Sequence, residues 1–193
     1  MAKETTGRNW KPIIITAIVT LAVSYGVVAM EKAFSTTGFC TSCHSMSYPY
    51  EELKKSTHYG VVGADPNCED CHLPQNFLLR VETHVVDGTR ELIAQLTHDY
   101  STKELFDERR AEIAHHARLN LRKWDSSPCR VCHRNVRPSS EDAEREHKKL
   151  KTGEATCIDC HQNLVHEEVP EEDLPRSQRE GKIVLKEDKE DTD

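Results

Sequence analysis

The sequence predicts a mainly α-helical protein, with a single N-terminal transmembrane helix followed by a domain of short helices and loops. Three observations predict it. Residues Ile13 to Met30 form one uncharged apolar run. Elsewhere apolar residues recur at helical spacing, and no convincing alternating strand pattern occurs. The eight cysteines fall into four copies of one short motif, with none left over.

The anchor comes first. The 18 residues from Ile13 to Met30 cover about 27 Å as a helix, enough for the hydrocarbon core of a bilayer. A run with no polar face does not suit a soluble surface helix. A cleaved signal peptide has a shorter apolar core and small residues at the cleavage point, whereas Ala29-Met30-Glu31-Lys32 stands here. Lys3, Arg8 and Lys11 precede the run. By the positive-inside rule, residues 1–11 are then cytoplasmic, 12–30 span the membrane as an uncleaved anchor, and the rest lies on the outer side.

Beyond the anchor, Tyr48 to Tyr59, Phe77 to Thr97, Thr102 to Trp124 and Glu141 to Leu150 read as helices. Ser139 ahead of Asp142 resembles a short capping box, and Gly153 is a natural stop. Residues 167–193 carry 11 acids and 5 bases, which accounts for −6 of the chain's formal −7. That segment reads as an acidic, disordered tail. The remaining body is nearly neutral, which excludes a strongly basic nucleic-acid binder.

The four motifs are Cys40-x-x-Cys43-His44, Cys68-x-x-Cys71-His72, Cys129-x-x-Cys132-His133 and Cys157-x-x-Cys160-His161. This spacing serves covalent c-type haem attachment: two thiols add to the two vinyl groups on one porphyrin edge, and the adjacent His reaches the iron. One copy alone could be half a zinc site or a redox pair. Four copies behind an export-type anchor point to four haems c. The chain is only 36% hydrophobic, and much of that is spent in the anchor. Four macrocycles held by residues 31–166 therefore supply the core that side chains do not.

The spacing repeats. Cys68 follows Cys40 by 28 residues, as Cys157 follows Cys129; His58 follows Cys40 by 18, as His147 follows Cys129. The matching offsets predict a haem-packed domain in two pseudo-equivalent two-haem halves.

Four segments carry a resemblance: Phe39-Cys40-Thr41-Ser42-Cys43-His44-Ser45-Met46, Ser56-Thr57-His58-Tyr59, Cys68-Glu69-Asp70-Cys71-His72-Leu73-Pro74, and Cys157-Ile158-Asp159-Cys160-His161 with His166 after it. With the anchor, they make the chain resemble the NapC/NirT family of membrane-anchored tetrahaem cytochromes c, which are quinol dehydrogenases. The resemblance implies that Met46 binds the first haem iron while its other face stays open beside the quinol. It implies His ligands on both sides of the other three: His72, His133 and His161 from the motifs, with His58 given to haem 4 and His166 to haem 3. The repeat adds His147 for haem 2, with His116 or His115 as rivals, while His98 has no role. Ligands crossing between the halves would clamp them together.

The family's quinol wall is the helix after the second motif, where a Lys and then a carboxylate hold the quinol oxygens. The corresponding positions here are His84 and Glu91, with Asp87 an alternative carboxylate on the same helical face. His84 in place of Lys is a departure, yet imidazole can still donate a hydrogen bond or take a proton near neutrality.

The implied function is oxidation of quinol from the membrane pool and transfer of electrons to a periplasmic reductase or cytochrome, in the cytoplasmic membrane of a bacterium. Homo-oligomerisation through the anchor is compatible with this. A terminal oxyanion reductase and a relay run backwards into the quinone pool are the alternatives.

Overall fold

A computed structural model of the chain describes residues 9–63 and 65–186; Lys3, Arg8 and the last seven residues lie outside this range. Helix α1 (Lys11–Phe34) has Pro12 in its first turn, where the missing N–H is no loss. Its side chains face outward all round: Leu21 is 71% exposed and Tyr25 77%. Among the described residues it is the one helix long and apolar enough to cross a membrane, with a mean hydropathy of 2.3.

The helix runs past the expected span because its last turn finds polar partners. Glu31 is buried. Its Oε1 accepts from Arg80 Nε at 2.6 Å and from Ser35 Oγ at 2.8 Å. Arg80 Nη2 also donates to Ser35 Oγ (3.0 Å) and to Glu69 Oε2 (2.6 Å). Only Ser35 and Thr36 separate α1 from α2 (Thr37–Cys40), whose first turn is capped by Thr36 Oγ1 accepting from Phe39 N–H.

A 3₁₀ turn (His44–Met46) leads into α3 (Ser47–Leu53), which stops six residues short of the expected Tyr59. Ser56 Oγ donates to the Leu53 carbonyl at 2.8 Å, a local bond that competes with helix continuation. Helix α4 (Cys68–His72) and then α5 (Phe77–Thr97) follow. The α5 limits coincide with those expected, since Asn76 Oδ1 accepts from Leu78 and Leu79 N–H.

The expected helix 102–124 is two: α6 (Lys103–Glu108) and α7 (Arg110–Lys123), broken where Arg109 adopts φ −105°, ψ 0°. Helix α8 (Ser127–Cys132) is entered through Asp125 and Ser126, both left-handed, and buried Ser126 accepts from Ile158 N–H at 3.2 Å. The expected helix 141–150 is likewise divided at Lys148 into α9 (Glu141–His147) and α10 (Lys149–Thr152). Its cap is Ser140, not Ser139, because Ser140 Oγ accepts from Ala143 N–H; Gly153, φ 74°, ends it as expected. Helix α11 (Cys157–Cys160) carries the last motif.

The reading of the C-terminal segment as disordered is corrected for residues 167–186. Helix α12 (Leu174–Glu180) forms there, and Glu172 bridges Leu185. Leu174 is fully buried. Glu172 Oε2 meets His115 Nδ1 at 2.5 Å, and its Oε1 accepts from Arg118 Nη1 at 2.8 Å. Gln162 pairs with the Glu172 backbone on both sides. Glu172 is thus not part of a solvated run but a buried partner of His115 and Arg118 on α7.

No strand occurs among the described residues. Their buried hydrophobic side chains are Leu53, Leu73, Tyr100, Phe106, Trp124, Ile158 and Leu174. Seven such residues are too few for an ordinary core in a domain this size, which accords with cofactors filling the interior.

Candidate haem centres

The motif helices lie side by side in chain order. Helix α2 packs on α4, and α4 on α8. The Cys40 and Cys68 thiols face one another, Cys71 lies near Cys129 and Cys132, and Cys129 near Cys157. The hydrogen bond between the Cys40 and Cys68 thiols lowers Cys68, while burial pushes Cys71 up to about 11. These values concern the thiols before attachment. The second and fourth motifs share a local device: Asp70 accepts from Asn67 N–H and Asp159 from Thr156 N–H, both at 2.7 Å. An Asp inside each motif thus caps its own helix, an echo of the sequence repeat.

Three motif histidines each face a histidine from elsewhere in the chain. Ring centroids are 6.0 Å apart for His72 and His166, 6.4 Å for His58 and His133, and 6.1 Å for His147 and His161. Two imidazoles on opposite sides of one metal would have centroids roughly 6.3 Å apart, given ring bonds of about 1.33 Å and metal–nitrogen bonds of about 2.0–2.1 Å. All three pairs match that span. Neutral imidazole is the ligating form. Although His72 is accessible to water, protein packed around its ring, followed by the charge of His166, pushes it down to about 4, and burial also lowers His166. His147 Nδ1 donates to the Ala143 carbonyl at 2.6 Å, which leaves Nε2 free to ligate. The donor set fits four haems c.

The same six histidines were expected, but the pairing is corrected. His58 faces His133 of the third motif rather than His161 of the fourth, His166 faces His72 of the second rather than His133, and His147 faces His161 of the fourth rather than His72. The sequence offsets fix spacing along the chain, whereas the partner depends on how α3, α9 and the 162–166 turn fold back. Two of the three pairs still cross between the halves. The rivals for haem 2 are engaged elsewhere: His115 with Glu172, and exposed His116 with Arg90 Nη1 at 3.3 Å. His98, without an expected role, caps the end of α5 through the Ala94 carbonyl.

At the first motif, exposed His44 has Nε2 3.0 Å from the Tyr48 hydroxyl, and half-buried Met46 lies two residues on. Arg80, His84, Glu91 and Gln95 fall on one stripe of α5. Arg80 holds the end of the anchor, as above. His84 Nε2 is 3.1 Å from Ser35 Oγ, and its ring is edge-on to Phe34, which stacks on Phe39 at 4.7 Å. Glu91 lies within electrostatic reach of Cys40, and Gln95 Nε2 donates to buried Ser45 Oγ at 2.6 Å. Although Glu91 is accessible to water, protein around it raises its carboxyl above the usual range; burial lowers His84. Asp87 is committed to Arg90 and to Asn120 Nδ2.

Sequence reasoning missed Glu31, Ser35, Arg80 and Gln95. A carboxylate directly after an apolar span was the available signal for Glu31, since a charge there needs a partner.

The family model "NapC/NirT cytochrome c family, N-terminal region" matches residues 4–172. The Nitrosomonas europaea protein named "Probable tetraheme cytochrome c-type" is 60% identical over 172 residues, 88% of this chain and 72% of that protein. The cytochrome c-type protein NapC of Haemophilus influenzae is 36% identical over 143 residues, 72% of this chain and 70% of that one. A crystal structure of the cytochrome c nitrite reductase NrfHA complex bound to the HQNO inhibitor overlaps with a TM-score of 0.43 and 22% identity, across 78% of this chain and 87% of that one. With the family model spanning most of its length, four attachment motifs and a membrane-length helix, the chain belongs to the NapC/NirT family, as a tetrahaem c-type cytochrome of electron transport.

Proposed function

We propose that this protein oxidises quinol at the outer surface of the cytoplasmic membrane and delivers the electrons to a periplasmic reductase or cytochrome. The observation that carries this reading is the α5 stripe, which brings the end of the membrane helix, the first haem-attachment motif and a proton-accepting carboxylate into one place. A lipid-soluble reductant, an electron acceptor and a base must meet there for quinol to lose two electrons and two protons.

The haem irons supply reversible one-electron storage, and the chain supplies attachment, ligands and proton acceptors. Met46 is the ligand we assign to the first iron. His72 and His166 serve the second, His133 and His58 the third, His161 and His147 the fourth. Glu91 is the base: protein packed around it raises its carboxyl above the usual range, which makes it a better proton acceptor. His84, fixed by Ser35, holds a quinol oxygen. Residues 1–11 lie in the cytoplasm, and the 31–166 domain on the periplasmic side.

Glu91→Gln tests the reading, since the carboxamide keeps size and hydrogen bonding but cannot take the proton. Quinol-driven haem reduction should slow by about 100-fold, the lower range for a general base, with haem content unchanged. Normal rates in both Glu91→Gln and Asp87→Asn would show that α5 does not form the quinol site.

A further inference from the structure

The three facing imidazole pairs differ in what stands behind the non-motif histidine. His147 Nδ1 donates to an uncharged backbone carbonyl, and neither buried His58 Nδ1 nor buried His166 Nδ1 has a hydrogen-bond partner. His166 Nδ1 instead faces a carboxylate: Glu52 Oε2 lies 3.6 Å away, an ion-pair contact slightly longer than a hydrogen bond. The Pro49 carbonyl borders the same imidazole.

Glu52 is not a mobile surface acid. Its side chain is 10% exposed. Arg110 grips it as a fork, with Nη1 to Oε2 at 2.9 Å and Nη2 to Oε1 at 2.8 Å, and the backbone N–H of Glu167 donates to Oε2 at 3.1 Å. Arg110 also binds Asp107, and Lys103 joins Asp107 to Glu167. Three carboxylates against two cations leave this cluster one negative charge in excess. The break between α6 and α7 at Arg109 is where the chain turns so that Arg110 reaches Glu52.

We propose that Glu52 is a positioning residue for His166 and holds the reduction potential of the second haem centre lower than it would otherwise be. The proposal rests on the reading of His72 and His166 as the axial pair. Two effects support it. A carboxylate 3.6 Å from Nδ1 favours the proton on that nitrogen and so leaves Nε2 to ligate, and a held negative charge favours the ferric over the ferrous state. The other two pairs lack such a group, so the effect belongs to one centre of the four.

The test is redox titration of the full-length, four-haem protein, with low-spin magnetic resonance signals as a check on ligation. In Glu52→Gln, one midpoint should rise enough to change the ferric-to-ferrous ratio about tenfold at fixed potential, which is about 59 mV for one electron, while the other three stay in place. Glu52→Asp, which keeps the charge, should restore the wild-type midpoint. Arg110→Gln, which uncovers the carboxylate, should move the same midpoint downward.

No shift in Glu52→Gln, or equal shifts in Glu52→Gln and Glu52→Asp, would overturn the proposal. If Glu52→Gln does not assemble, the absence of a downward shift in Arg110→Gln overturns it. His166→Met separates the two levels. If it leaves every low-spin signal intact, the axial pairing is wrong and the proposal falls with it. If it removes one signal while Glu52→Gln moves no midpoint, the pairing stands and the role of Glu52 fails.

Discussion

Replacing Glu172 with alanine tests whether the C-terminal segment belongs to the folded domain. Its carboxylate is 2% exposed and meets Arg118, whose side chain is 5% exposed, at 2.8 Å, and His115 at 2.5 Å. Removing one partner of a buried ion pair costs about 3–5 kcal/mol, because the other charge stays buried without compensation. Here the Pro170 carbonyl and Asn163 Oδ1 still accept from Arg118, so the lower figure applies. A loss of about 3 kcal/mol multiplies the detached population of the segment by roughly 150. Where opening is fast relative to cleavage, proteolysis follows that population. Trypsin should therefore cut the haem-loaded variant after Arg176 and Arg179 about 100-fold faster than the wild type, with the haem spectrum unchanged. Equal cleavage rates in the two proteins, or wild-type cleavage as fast as that of an unfolded peptide, would refute the reasoning.

Three further outcomes follow from the same geometry. Changing His58, His147 or His166 to Met should each alter one low-spin haem signal; His116→Met should alter none, and loss of a signal there would return His116 to the ligand set. Quinol oxidation should rise with pH, because Glu91 acts as a base only when ionised, and its midpoint should lie above the ordinary carboxylate range; in Glu91→Gln that inflection should vanish from the pH–rate profile. Leu174→Ala, at a fully buried position, should cost about 2–5 kcal/mol, read as a lower melting temperature by circular dichroism.

Much of the architecture was legible because it depends on local chemistry. The attachment motifs, the anchor and α5 are written in cysteine spacing, in an unbroken apolar run, and in apolar residues at helical spacing. The six paired histidines were nameable for the same reason, since the second, third and fourth motifs supply three and the resemblance and the repeat flag the other three. Their pairing was not legible, because His58 and His166 reach their partners through the path of the chain in three dimensions, which periodicity does not encode. The α6–α7 break carries no Pro or Gly, and it serves a long-range bond from Arg110 to Glu52. The C-terminal segment misled for a related reason: its composition matches a solvated acidic run, and only the basic residues of α7 turn Glu172 into a buried partner.

The short passage from α1 into the haem domain has a mechanical consequence. A domain on a flexible linker sweeps a hemisphere above the bilayer and presents every face in turn. Here the membrane helix enters the domain after two residues, and Arg80 bolts its last turn to α4 and α5. The anchor works as a bracket rather than a leash. Its tilt in the bilayer fixes the domain's heading, so under the proposed function a soluble partner alone would carry the rotational search, meeting a face chosen by the plane of the membrane.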